Sequence, residues 1–129
     1  NMGLELATQR NDSLGMAESL NFLGNDYSDL GQYDQAYYYF SQSYRVGLLI
    51  NDSLRMSIAL HNLGNVFRNL EQFEVALNSL DLSKRMSQDI GDLDGLPYSY
   101  ESMGAVYAQK KDFQQAKQNF DLALIQLRE

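Results

Sequence analysis

The sequence has no cysteine and no tryptophan, a single proline and a single histidine, and only 10 basic side chains against 17 acidic ones. Each shortage excludes something. Without Cys there is no disulfide, no thiolate nucleophile and no Cys-based zinc site, and one His cannot supply a metal site that needs two imidazoles. No cofactor and no metal site are therefore expected. One Pro and nine Gly in 129 residues leave few strong turn signals, which argues for long helices over many short strands. No apolar run approaches the roughly 18 residues of a membrane-spanning helix, and no basic stretch followed by an apolar run marks a signal peptide. The chain as given reads as soluble and without direct membrane contact, and composition leaves its compartment open. A net charge of −7 repels phosphate backbones and speaks against nucleic-acid binding. No glycine-rich phosphate loop is present.

What the sequence does contain is a repeat. Asn11-Asp12-Ser13-Leu14 returns as Asn51-Asp52-Ser53-Leu54 and, altered, as Gly91-Asp92-Leu93-Asp94; Leu23-Gly24-Asn25 returns as Leu63-Gly64-Asn65 and as Met103-Gly104-Ala105. The period is 40, and residues 12–51 laid on 52–91 without gaps give 14 identities. Inside each unit the apolar spacing is helical. Leu20, Leu23, Gly24 and Tyr27 fall on one stripe, matched by Leu60, Leu63, Gly64, Phe67 and by Tyr100, Met103, Gly104, Tyr107. A second stripe holds Tyr33, Ala36, Tyr37, Phe40, then Phe73, Ala76, Leu77, Leu80, then Phe113, Ala116, Phe120, Ala123. Each unit is thus predicted to be a helical hairpin that breaks near Leu30-Gly31-Gln32, Leu70-Glu71-Gln72 and Lys110-Lys111-Asp112. Asp or Ser at the unit starts, and Asp94 in the third, are expected to cap first helices, placing Pro97 in a first turn. The small residues at Gly24, Gly64, Gly104 and at Ala36, Ala76, Ala116 predict close helix packing.

These columns resemble the tetratricopeptide repeat over nearly the whole chain. The 40-residue spacing resembles the longer subtype found in kinesin light chains, in the Leu-Gly-Asn polarity adaptor, and in bacterial Rap-type regulators and sensor histidine kinases. The resemblance implies an all-α, right-handed superhelix of antiparallel hairpins. Residues 1–11 read as the tail of a preceding second helix, 12–51 and 52–91 as two full units, and 92–129 as a truncated third. Unit ends without polar caps are expected to expose apolar surface and to favour end-to-end self-association. The resemblance also implies a binding module for a peptide or protein segment with no enzymatic activity. The context it suggests is the sensory or regulatory part of a bacterial signalling protein; a scaffold or cargo adaptor and a plain spacer are the alternatives.

In such a superhelix the first helices line a concave groove. Opposite the buried stripe, at 100° per residue, lie Asn21, Asn25, His61, Asn65, Arg68, Asn69, Tyr98 and Glu101, the expected groove residues. Carboxamides both donate and accept, so they can pair with the backbone of an extended peptide. The family's Lys, Asn and Arg clamp for a C-terminal carboxylate is incomplete: Asn21 stands where Lys is needed, and unit three offers no bases. An acidic tail is therefore a poor ligand. His61 has no Cys and no Ser-to-acid spacing around it, so no catalytic residue is expected. Among the clustered aromatics, Tyr38 and Tyr39 are the pair that packing does not obviously require, and they form a candidate convex contact.

Overall fold

The computed structural model describes residues 2–128, with side chains for residues 9–127. Six α-helices follow one another: α1 (Met2–Asp29), α2 (Tyr33–Leu49), α3 (Ser53–Asn69), α4 (Phe73–Asp89), α5 (Leu96–Gln109) and α6 (Phe113–Arg128), with a single 3-10 turn over Leu93–Gly95 before α5. The hairpins break where the sequence places the breaks. At Gly31, Glu71 and Lys111 the backbone enters the left-handed region, with φ of 77°, 61° and 68°, and the inter-unit turns do the same at Asn51 and Gly91. All five ends close in the same way. In the first, Gln32 N donates to Tyr27 O at 2.9 Å and Gly31 N to Ser28 O at 3.0 Å. This pair of bonds satisfies carbonyls that the last helical turn leaves free.

The core is not inside the hairpins alone but at the seams between them. Ala36 and Phe40 of α2 pack with Leu63 and Val66 of α3, and Ala76 and Leu80 of α4 pack with Met103 and Val106 of α5. A unit therefore depends on its neighbour to bury its second helix. Within each hairpin the small column at 24, 64 and 104 makes room for a side chain. A Cβ at Gly24 would lie 2.5 Å from the Phe40 ring, one at Gly64 2.6 Å from Leu80 Cγ, and one at Gly104 2.8 Å from the Phe120 ring. The close approach expected from sequence is thus a large side chain of the second helix seated on a glycine. Buried hydroxyls add a repeated link: Ser43 donates to Ala17 O at 2.8 Å, and forty residues on Ser83 donates to Ser57 O at 2.7 Å.

Three expectations are corrected. First, α1 runs unbroken through Asn11-Asp12-Ser13, so residues 2–11 continue the first helix of unit one instead of forming a separate preceding helix. Asn51 turns the chain and Asp52 caps Arg55 N at 3.0 Å, whereas Asn11 and Asp12 remain helical and exposed. The seam that holds α2 against α3 across the Asn51 turn has no counterpart on the outer side of α1 among the described residues. A turn there would give up helical hydrogen bonds for nothing. Arg10, in this extension, instead donates to Ile50 O and lies 3.9 Å from the Asp52 carboxylate.

Second, Asp94 caps nothing. It belongs to the 3-10 turn, Gly95 precedes α5, and Pro97 does sit in the first helical turn. Third, some stripe residues are exposed: Leu23 is 41% accessible, Tyr37 47% and Phe113 67%. For Leu23 and Phe113 the reason is position in the stack, since Leu63 is covered by α2 and Phe73 packs against the Met103 seam. Tyr37 meets Phe67 edge-on, at 5.9 Å between ring centres, and leaves much of its ring exposed.

Candidate functional site: the concave face and its two cavities

α1 touches α3 and α3 touches α5, while α2 and α4 do not touch each other. Helices that meet on one side and splay on the other curve the stack, with the first helices on the inside. The expected groove residues all belong to these three helices, in three different states.

Asn21 and His61 are engaged across the wall. Asn62 Nδ2 donates to Asn21 Oδ1 at 2.6 Å, and one period later Ser102 Oγ and His61 Nε2 lie 3.4 Å apart. The same rung is built twice from different residues. Burial, and then the positive charge of Arg68, lower the His61 pKa, so the ring is neutral near pH 7 and can donate from one nitrogen and accept at the other.

Asn65 and Arg68 are half-buried, and the Asn65 Oδ1 and Arg68 Nε atoms are buried without a hydrogen-bond partner. Asn25, Asn69, Tyr98 and Glu101 are exposed. On the other face, Tyr38 is exposed, but Tyr39 is half-buried and stacks on Tyr27 with ring centres 5.3 Å apart and planes 5° apart. Packing does use Tyr39, leaving Tyr38 as the free member of the pair.

Two cavities open along the stack, and they are repeat equivalents. The smaller, about 170 Å³, is bounded by Glu18, Asn21, Ser43, Arg55 and Ile58 among others. The larger, about 220 Å³, is bounded by the residues forty positions later, including Ile58, His61, Ser83, Gly95 and Tyr98, and in addition by Ser87, Asp92 and Ser99. The difference is traceable to one column. Arg55 projects into the first and pairs with Glu18 at 2.9 Å, while Gly95 in its place leaves the second more open.

Of these linings sequence reasoning named Asn21, His61 and Tyr98 and missed the serines. The signal was available, because Ser43 and Ser83 are one of the identities between the first two units. A buried serine between helices is read from sequence as a neutral surface residue, and only the packing reveals its bond. Among the described residues no cluster of His, Cys or acidic side chains could hold a metal, and no helix is long and apolar enough to cross a membrane.

Comparison with known proteins agrees with this geometry. No curated protein matches the sequence. The TPR domain of Arabidopsis FLU superposes with a TM-score of 0.81 at 16% identity, covering 92% of this chain and 98% of that one. The second TPR of Spaghetti (RPAP3), bound to the HSP90 peptide SRMEEVD, superposes with a TM-score of 0.71 at 14% identity, covering 92% of this chain and 97% of that one. Both likenesses give the fold, an all-α right-handed solenoid of helical hairpins. The tetratricopeptide repeat family matches in sequence over residues 15–89, well over half of the chain, and the chain belongs to that family.

Proposed function

We propose that the chain is a protein–protein interaction module that holds a peptide or protein segment along the wall formed by α1, α3 and α5, with no catalytic role of its own. One observation carries this reading: α1, α3 and α5 meet along the inner side of the stack, and on α3 Asn65 Oδ1 and Arg68 Nε, like Arg55 Nε, are buried without a protein hydrogen-bond partner. Native proteins rarely leave such atoms unmatched, and the backbone of an extended segment supplies both a donor and an acceptor. The peptide-bound RPAP3 domain supports the mode of binding. In this chain the groove presents Tyr98 and Glu101 in its third unit in place of bases, which fits a neutral or basic segment better than an acidic tail.

The test uses peptides selected on the wild-type chain from a random array. Replacing Asn25 and Asn65 together by Ala should weaken the selected peptides by about 2 kcal/mol, roughly thirtyfold, while helicity is unchanged. Unchanged affinity in the double variant would remove the groove from consideration. The 40-residue period supports placing the module as the regulatory or sensory part of a bacterial signalling protein. The full coding sequence tests that context: kinase or transcription-factor motifs are expected downstream, and a helical adaptor tail overturns it.

The outer faces of the stack support end-to-end self-association. Met16 is 57% exposed where Met56, its equivalent, is 7% exposed, and Leu124, Ile125 and Leu127 of α6 are 53%, 48% and 67% exposed. Stacking one copy's α6 on another's α1 would rebuild the seam seen twice inside the chain. Sedimentation velocity over a concentration series should show open-ended growth in mass, as a head-to-tail contact requires. A concentration-independent monomer is the contrary result.

A further inference from the structure

The larger cavity, between α3, α4 and the start of α5, is the feature whose chemistry the groove reading leaves unused. Its floor is made of hydroxyls: Ser57 Oγ lies 2.8 Å from Ser87 Oγ and 3.2 Å from Ser83 Oγ. Tyr98, 62% exposed, stands at its mouth. Asp92 supplies the one carboxylate. In the preceding unit Asp52 caps α3 by accepting from Arg55 N and also faces Arg10. Asp92 makes no capping bond, because the 3-10 turn displaces the helix start, and it has no ion-pair partner among the described residues.

The chain itself shows what suits this space. At the equivalent place in the smaller cavity a guanidinium is present, that of Arg55, held by Glu18. Position 95 is Gly, and a Cβ built there points at Asp92 Oδ2, 3.0 Å away, and at Ser87 Oγ, 3.5 Å away. The larger cavity thus occupies the volume that a side chain at 95 would enter; Glu18, the acid that holds Arg55, is replaced by Ile58, and Asp92 is the carboxylate that faces the vacated space.

We propose that this cavity takes an arginine side chain of the segment bound in the groove, the guanidinium pairing with Asp92 and stacking against Tyr98. The inference rests on the groove reading and names the chemistry of its ligand. Size permits it. A dry cavity of about 150 Å³ admits a benzene ring, and a guanidinium is smaller, so 220 Å³ holds it with part of its stem. Charge favours it too: the chain carries −7 overall, and complementary charge speeds encounter and suppresses anionic competitors. His61, the titratable base in the lining, is held neutral by burial and by Arg68 and so does not repel a cation. Arginine is preferred to lysine because its flat fork reaches a carboxylate and neighbouring hydroxyl oxygens together and stacks on an aromatic face.

The experiment uses the whole chain and capped pentapeptides Gly-Ser-X-Ser-Gly, with X as Arg, Lys, Leu or Glu, followed by amide chemical shifts. The Arg peptide should give saturable shifts at Gly95, Ser87 and Ser99 and bind about fivefold or more tighter than the Leu peptide. Asp92→Asn should bring the Arg peptide down to the Leu level without affecting the Leu peptide. Gly95→Arg, which plugs the cavity from within, should abolish the preference. Gly95 has φ −79° and ψ −20°, open to any residue, and the close neighbour of a Cβ there is the rotatable end of Asp92, 3.0 Å away, so this variant should keep wild-type helicity. Equal binding of Arg and Leu peptides, or an Arg preference that survives Asp92→Asn, overturns the cavity assignment and leaves the groove standing. If Asn25→Ala with Asn65→Ala leaves every peptide unaffected, the groove reading falls separately. If no peptide gives a saturable shift anywhere on the concave wall, both fall.

Discussion

Replacing Phe40 by Ala should lower the unfolding free energy by about 3–5 kcal/mol, the usual cost of truncating a buried aromatic in a core that cannot collapse around the gap. Phe40 is 1% exposed. Its ring rests on Gly24 in its own hairpin and meets Leu63 and Val66 of the next, so the residue belongs to a hairpin and a seam at once. Phe120 occupies the same column two periods later and rests on Gly104 in the same way, yet it is 38% exposed because no further first helix covers it among the described residues. Phe120→Ala should therefore cost much less, about 1–2 kcal/mol. Urea titration followed by far-ultraviolet circular dichroism measures both. A domain of this size holds on the order of 5–15 kcal/mol in all, so the first variant should shift the midpoint far down, and it should also broaden the transition by uncoupling unit one from units two and three. Equal losses at the two positions would show that the next unit's cover contributes little, contrary to the seam account.

That comparison also shows what the sequence could and could not disclose. The hairpins, their breaks and the Gly and Ala columns were readable because helical periodicity and a 40-residue repeat are properties of the chain alone. Exposure was not, because identical columns have different fates according to neighbours: Met16 and Met56, Leu23 and Leu63, Phe120 and Phe40 read alike and pack differently. The unbroken α1 has the same origin, since Asn11-Asp12-Ser13 and Asn51-Asp52-Ser53 carry the same local turn chemistry, and only the second has a seam to hold the turn closed. At the candidate site, pattern reasoning chose one face of the first helices, but it could not tell Asn21, already bonded to Asn62, from Asn65, whose oxygen is unpartnered. Nor could it see the two cavities, the second of which is the larger where Gly95 stands in place of Arg55, in a column that sequence comparison records only as a mismatch.

Gly64→Val should cost about 3 kcal/mol, against the ordinary expectation that removing a glycine from a helix interior helps. Helix propensity alone would favour a larger residue at 64 by a few tenths of a kcal/mol up to about 1. Packing opposes it: a Cβ there falls 2.6 Å from Leu80 Cγ and 2.8 Å from Leu80 Cδ2, closer than carbons approach in folded proteins, with Ala76 O at 3.4 Å behind. Cγ is the branch point of the leucine, not its flexible end, and Leu80 is fully buried among Ala76, Met103 and Val106. Relief therefore requires moving α4 away from α3 or Leu80 out of the second seam, and overpacking of this kind costs up to about 3 kcal/mol. Gly15 is the internal control. It lies in α1 with nothing within 4 Å of its built Cβ, so Gly15→Ala should stabilise by about 1 kcal/mol. The clash also has a specific remedy. In a Leu80→Ala background the space at Gly64 opens, and Gly64→Val should lose most of its cost, so the double variant should be more stable than the sum of the singles by about 1–3 kcal/mol. Strict additivity of the two substitutions would mean that the glycine column is not shaped by the side chain seated on it, and the packing scheme of all three hairpins would need another explanation.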